Sequence, residues 1–420
     1  MKNILLIALI FINAIHLSSQ SVTIESCQEK AKMNFPLVKQ FGLIEQSARF
    51  TIDNANKGYL PQLSFSARGT YQSQVTELPF KIQGKDLPAL SKDQYQAVLE
   101  ANQLLWDGGA IAAQKKATIT GYEVDKQKLE VELFSLKERI NQLFFGILML
   151  NEQIKQNGIL KNELKTNYDR VAAYKKNGVA NQSDLDAIKV EQLNAQQREA
   201  ELRSSRKAFC QMLGILTGMS INDPGTVVKP EINLSILQTN NNLRPELAFF
   251  DAQNRLFESQ KTQLKAGDMP KIGLFAQAGY GKPGLNMLTN AFSEFYMGGI
   301  RLSWNFGGLY TQKNNFKKIE INKKSIELQK EIFLFNSEVK TKQELNEIEK
   351  LQSVIGSDDE IIQLRQNIKK SASVKLENGT ITVSDLIREI NAENQAKQMK
   401  SVHEIQLLMA IYQLKNETNN

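Results

Sequence analysis

Two stretches decide the reading of this chain: Asn177-Gly178-Val179-Ala180-Asn181-Gln182-Ser183-Asp184-Leu185 and Asn378-Gly379-Thr380-Ile381-Thr382-Val383-Ser384-Asp385-Leu386. They stand 201 residues apart and share Asn-Gly, then Ser-Asp-Leu at the same offset. Asn-Gly is turn chemistry, because both residues tolerate positive φ. Ser and Asp a few residues on are helix N-caps, whose side-chain oxygens accept the free N–H groups of a starting helix. Each stretch therefore reads as helix, tight turn, helix. In this reading Asp184 and Asp385 are capping residues.

The flanks of both tips are helical. Before the first, Leu129, Leu133, Leu136, Ile140, Leu143, Ile147, Leu150 and Ile154 step by four and three, a heptad seam of coiled-coil type. The expected helix is about 45 residues long, roughly 65 Å, with a weak point at Gly121. The return helix runs from Ser183 to Leu216. Around the second tip the expected elements are a long helix to about Ile355, a separate one from Ile361 to Leu376, and a return helix from Asp385 to Leu414. Asp358-Asp359, after Gly356-Ser357, reads as an N-cap between the first two.

Further out, the hydrophobic period changes from helical to two. Leu63, Phe65, Ala67, Gly69 and Tyr71 alternate with Gln62, Ser64, Ser66, Arg68 and Thr70, and Ala97, Leu99 and Ala101 alternate with Gln96, Glu100 and Asn102. In the second half Ile272, Leu274, Ala276, Ala278 and Tyr280 share one face, as do Ile300, Leu302 and Trp304. Strands with one greasy and one wet face are expected over about 61–73, 95–106, 271–281 and 296–306. A polar loop with Pro79, Gly84 and Pro88 separates the first two. Pro36, Gly58, Pro61 and Tyr71 recur as Pro245, Gly267, Pro270 and Tyr280, each 209 residues later. Such order marks an internal duplication. The expected parts are a first repeat over 21–217, a connector over 218–240 containing Gly218, Pro224, Gly225 and Pro230, and a second repeat over 241–420.

Lys2 followed by an apolar run from Ile4 to Ile15 reads as a secretory signal peptide over 1–20, too short to span a bilayer. A buried N-terminal helix is the alternative. Cys27 lies outside a lipoprotein-like context. Of the two cysteines, Cys27 and Cys210, buried free thiols are expected, with a disulfide as the other possibility for an exported chain. The full 420-residue sequence is 41% hydrophobic, which suits elements with water on two sides. The net charge of +7 is dispersed, without a basic stripe interleaved with aromatics, which argues against nucleic-acid binding.

Catalytic and metal chemistry finds few residues here. The two histidines are His16, in the signal, and His403, read as a surface residue on a helix. A histidine triad or zinc site has nothing to build on. Gly279-Tyr280-Gly281-Lys282-Pro283-Gly284 spells G-x-G-x-x-G but continues into Pro283 and a strand rather than a helix. No enzyme, no metal and no cofactor is expected.

Four strands cannot close a barrel, and open edges are not tolerated in lipid. The alternation matches outer-membrane strands, and Tyr59, Trp106, Trp304 and Phe306 near strand ends suit an interfacial girdle. The simplest closure is several copies of the chain, each contributing four strands. A soluble sheet packed on helices is the alternative.

The signal, the strand pairs, Arg244-Pro245-Glu246-Leu247 and the two tips together resemble the TolC, or outer membrane efflux protein, family. The resemblance implies an internally duplicated α+β membrane protein. Three protomers would build a twelve-stranded barrel in the outer membrane of a Gram-negative bacterium and a long α-helical barrel in the periplasm. It implies a passive exit duct that meets a periplasmic adaptor protein and an inner-membrane pump. The segments from Gly178 to Leu185 and from Gly379 to Leu386 match the periplasmic entrance. Gly178, Val179, Leu185, Gly379, Thr380 and Leu386 are the adaptor-contact candidates, and Asp184, Asp385 and Arg388 the gate candidates. The family's second tip usually carries Tyr, Arg and two Asp. Here Leu376 stands for the Tyr, Ile381 for the Arg, Asp385 for the first Asp and Arg388 for the second. A secreted coiled-coil scaffold or adhesin without a pore is the competing class. An adaptor protein is a third, and its lipoyl-like and barrel modules are not found.

Overall fold

The computed structural model describes residues 21–75, 90–221, 224–231 and 242–418. The expected signal peptide, most of the polar loop after the first strand and much of the connector lie outside them. The elements run α1 (Ile24–Asn34), α2 (Val38–Asn56), β1 (Gln62–Tyr71), β2 (Asp93–Trp106), α3 (Ala110–Lys176), α4 (Gln182–Thr217), α5 (Pro245–Gly267), β3 (Lys271–Lys282), β4 (Ser293–Ser303), α6 (Gly307–Glu377) and α7 (Val383–Thr418). Helix, two strands, a very long helix and a return helix thus occur twice in the same order. The chain forms two compact units, and each takes segments from both sequence halves: 1–38, 129–245 and 332–420 in one, 39–128 and 246–331 in the other.

The helical unit is built on the heptad seam. Leu129, Leu133, Leu136, Ile140, Leu143 and Ile147 are all buried. They meet Ile24, Cys27 and Ala31 of α1, Cys210 and Leu213 of α4, and Ile405 and Leu408 of α7 in one apolar cluster. Gly146 sits in this seam because the Phe209 ring packs where its Cβ would be, 2.4 Å away. Both cysteines are buried and free. Burial pushes the Cys27 thiol up to about 12, which disfavours the nucleophilic thiolate in the folded chain.

Both long helices are continuous, against the sequence expectation. α3 is 67 residues long and passes through Gly121 and Asn157-Gly158. α6 is 71 residues long and passes through Gly356-Ser357-Asp358-Asp359. A helical glycine costs about 1 kcal/mol relative to alanine, and packing over many turns outweighs it. Asp358 is therefore no N-cap. It is buried inside α6, and its Oδ2 lies 2.7 Å from Nδ1 of His403 on α7. His403 is correspondingly a packed partner rather than a surface residue.

Asn157 continues the seam in register with Ile147, Leu150 and Ile154 and is fully buried. Its Nδ2 donates to the Ala195 carbonyl of α4 at 2.8 Å. One polar residue in an apolar seam penalises slipped registers, because any slip leaves it unpaired.

Arg244 ties down the end of α7. It donates to Glu417 at 2.9 Å and stacks between Phe134 and Phe333, with its guanidinium carbon 5.3 and 5.0 Å from the ring centroids. Lys340 also reaches the nearly buried Glu417 at 2.5 Å. Pro245 then opens α5, where a missing N–H costs nothing. Arg244→Ala is expected to destabilise this unit by about 3 kcal/mol, since it strips a buried carboxylate of its forked donor. Arg244→Lys recovers only part, lacking the planar group that stacks. Chemical denaturation followed by circular dichroism checks the order wild type, Lys, Ala.

In the other unit all four strands form one antiparallel sheet in the order β1-β2-β3-β4. The sequence halves meet at β2–β3, with Leu99 opposite Ala278 and Glu100 opposite Gln277. Asp107 caps α3, accepting from the Gly109 and Ile111 N–H groups at 2.9 and 2.6 Å. Asn305 accepts from Gly307 at 2.9 Å at the corresponding place before α6.

Candidate functional site: the hairpin tips and the sheet

The two tips have the same backbone. Gly178 and Gly379 hold φ of 78° and 69°. Gly178 donates to the Lys175 carbonyl and Val179 to that of Tyr174, while Gly379 donates to that of Leu376 and Thr380 to that of Lys375. This is a helix C-terminus closed by left-handed glycine, repeated 201 residues later.

The new helix starts differently from expectation. The N-cap of α4 is Asn181, whose side chain accepts from the Asp184 N–H at 3.0 Å while Asp184 accepts from the Asn181 N–H at 3.0 Å. At the second tip Thr382 Oγ1 accepts from the Asp385 N–H at 3.2 Å, and Asp385 accepts from the Thr382 N–H at 3.1 Å. Asp184 and Asp385 are thus the third-position partners of two capping boxes, not the caps themselves. Arg388 donates to Asp385 at 3.1 Å, one turn along the same helix. Hydrogen bonds from Thr382, then the charge of Arg388, hold the Asp385 carboxyl below the usual range.

Gly178, Val179, Gly379 and Thr380 are exposed at the tips. Leu185 and Leu386 are not. Both are buried with Leu164, Ile188, Val383 and Ile390 in a core shared by the two hairpins. As first-turn residues packed into that core they close the hairpins and offer no direct contact surface.

Above that core the hairpins are joined by charge. Lys369 of α6 pairs with Glu163 of α3 at 2.5 Å and with the buried Glu393 of α7, which Lys397 also meets at 2.6 Å. Arg170 reaches Glu377 at 3.7 Å. Burial alone would raise the Glu393 carboxyl, but hydrogen bonds from Lys369 and Lys397 leave it below its ordinary value. Burial likewise opposes the charge on Lys369, and its two carboxylates outweigh this and raise it. This junction was invisible in the sequence, since its partners come from three helices. A polar groove lined by Gln153, Asn157, Asn194, Asn391, Asn394 and Gln398 lies in the same unit.

In the sheet, one face carries Leu63, Phe65 and Tyr71, Leu99, Leu274, Tyr280, Tyr296, Ile300 and Leu302, all exposed. Phe65 is 72%, Ile300 73% and Tyr296 87% accessible, values for water contact that an apolar face of a finished soluble fold does not keep. The opposite face is polar. Glu100 accepts from Gln277 at 2.9 Å, from Asn102 at 2.8 Å and from Arg301 at 3.4 Å. Aromatics mark both ends. Tyr59, Trp106, Trp304 and Phe306 are exposed at one. Tyr71, Tyr95, Tyr280 and Phe292 stand at the other, with Phe292 stacked 5.4 Å from Tyr280 and 6.3 Å from Tyr95. The sequence reading missed the second set, although Tyr71 and Tyr280 close their alternating runs and Tyr95 stands just before its own.

No described helix is long and apolar enough to cross a membrane, and no described cluster of His, Cys, Asp and Glu could hold a metal ion.

The ionic junction gives a pH expectation. Glu393, lowered in the fold, contributes stability that is complete above the ordinary carboxylate range near 4.3 and is lost as pH falls through its folded value. Lys369, raised in the fold, contributes stability that is complete below about 10.4 and is lost as pH climbs through its folded value. Hydrogen exchange across 160–195 and 365–393, normalised to the intrinsic rate at each pH, is expected to quicken below about pH 4. Lys369→Met is expected to quicken it at neutral pH, by roughly a hundredfold for a buried carboxylate left short of one partner.

Residues 29–218 match the sequence profile of the family described as outer membrane efflux protein. No curated protein matches the chain in sequence. In fold it is similar to CusC at 14% identity, over 96% of this chain and 92% of that one, with a TM-score of 0.68. It is similar to the outer-membrane channel OprN at 13% identity, over 94% and 89%, with a TM-score of 0.69. The outer membrane protein VceC of Vibrio cholerae matches at 14% identity, over 93% and 94%, with a TM-score of 0.66. In sequence over residues 29–218, and in fold along nearly its whole length, the chain resembles the TolC-like outer membrane efflux proteins.

Proposed function

We propose that the chain is the outer-membrane exit duct of a tripartite efflux or type I secretion system, passing small molecules or proteins through a tunnel made by three copies. The observation that carries this is the sheet: four strands, outer edges on β1 and β4 that no described strand pairs, one exposed apolar face and one polar face. Three such sheets joined edge to edge give twelve strands, the apolar face toward lipid and the polar face toward water.

The spacing of the aromatic sets agrees. Tyr95 and Trp106 are eleven positions apart on β2. That is roughly 36 Å along a strand, and about 25 Å along the membrane normal at a tilt of ~45°, the height of an outer-membrane apolar band. In the helical unit, Ile332, Phe335 and Val339 and then Ile361, Leu364 and Ile368 of α6 are exposed at three- and four-residue spacing, a seam awaiting a neighbouring helix. The tube these helices would form lies in the periplasm, with the tips as its entrance. Gly178, Val179, Gly379 and Thr380 are the surface available to an adaptor bound to an inner-membrane pump. Asp184, Asp385 and Arg388 are the charges available to line that entrance.

Two measurements test this. In cell fractionation the protein is expected to be found with outer membranes, and after purification in detergent to run as a stable trimer. A monomer stable in plain buffer would refute the duct and favour a secreted scaffold. In planar bilayers the protein is expected to conduct ions, and Asp385→Ala to change conductance and ion selectivity. Unchanged values would remove Asp385 from the entrance.

A further inference from the structure

On the polar face of β3 and β4, two phenylalanines stand opposite two glycines. The register places Gly279 opposite Phe295 and Phe275 opposite Gly299. A Cβ built on Gly279 would lie 2.3, 2.7 and 2.8 Å from three atoms of the Phe295 ring. One built on Gly299 would lie 3.0 and 3.2 Å from the Phe275 ring. Both rings therefore lie across the neighbouring strand, occupying the space a side chain would fill. Phe295 is only 8% accessible despite facing the polar side. The Arg301 guanidinium covers Phe275 at 4.7 Å and at the same time faces Glu100.

A glycine in a strand interior weakens it, and an aromatic laid over it from the next strand restores the lost packing. Here the exchange occurs twice, in opposite directions, on the one face that also carries Glu100, Asn102 and Gln277. An aromatic directed away from the wall on that face would project into whatever space the sheet encloses. We propose that Gly279 and Gly299 set the bore of the strand-built part of the duct, by letting Phe295 and Phe275 lie flat against its wall. The upper size of cargo then depends on these two glycines as well as on the tips. The proposal rests on the duct reading, in which this face lines the lumen.

Met297 lies on the same face, between the two pairs and exposed, and makes a reporter position as Met297→Cys. The two native thiols are buried and do not compete. In outer-membrane vesicles containing the assembled protein, Met297→Cys is treated with a small charged thiol reagent and with a bulky polyethylene-glycol maleimide. Both are expected to label the otherwise native chain. Gly279→Ala is expected to abolish labelling by the bulky reagent and to spare the small one, and Gly279→Ala with Phe295→Ala to restore the bulky label. The detergent-stable trimer band confirms that each variant is assembled. Equal bulky labelling with and without Gly279→Ala overturns the bore assignment, as does a double variant that stays blocked. If the small reagent cannot reach Met297→Cys in an assembled trimer, this face is not lumenal, and the duct reading falls together with the inference.

Discussion

An antiparallel sheet with a greasy face and two unpaired edges is not a finished structure. In water the exposed face of Phe65, Leu99, Tyr296 and Ile300 would drive association, and in lipid the unpaired N–H and C=O groups of β1 and β4 would each cost several kcal/mol. The proposed arrangement answers both demands: a closed ring of such sheets with lipid outside. The pairing of β2 with β3 fits this constraint. By joining the strands of the two sequence halves into one sheet, it leaves two edges among the described strands, those of β1 and β4.

The helical unit meets a related demand by different means. Each hairpin buries one seam, but in the proposed tube a helix would have water on one side and sister helices on others. Hence its cores are thin, and polar residues fix geometry where apolar packing is not selective enough. Asn157 fixes the register of α3 against α4. Lys369, Glu163 and Glu393 fix α3, α6 and α7 against one another. Arg244 and Glu417 fix the end of α7. A buried ion pair contributes little net stability over an apolar replacement, yet breaking one is costly. Such contacts therefore select one arrangement of the hairpins over others that would bury similar apolar area.

The tips show how duplicated local chemistry persists while the surroundings change. Both end a helix with glycine at positive φ and start the next with a capping box. Around them the halves diverge: Asn181 caps one and Thr382 the other, and only the second adds an ion pair with Arg388. A duct opening at these tips has two chemically distinct kinds of hairpin at its entrance.

What could be read along the chain was whatever neighbours in sequence decide. Asn-Gly with Ser-Asp five residues later makes a turn and a helix start, alternation over ten residues makes a strand, and a four-three step makes a seam. The repeated landmarks at 201 and 209 residues gave the order of elements, and all four strands lie within a few residues of their expected places. The same local rules failed where tertiary packing outweighed them. Gly356-Ser357-Asp358-Asp359 looks like a helix boundary, yet α6 runs through it, because Asp358 finds His403 on a helix whose proximity no local signal reports. Leu185 and Leu386 looked like tip surface and are core, since the second hairpin covers the first. The glycines opposite Phe275 and Phe295 acquire meaning only once β3 and β4 are in register. Sequence by itself determined the elements, their duplication and the two faces of each strand, because these follow from backbone preference and hydrophobic period. Tertiary structure alone decided which charges meet, which leucines are buried and where the rings lie, because those depend on residues brought together from distant parts of the chain.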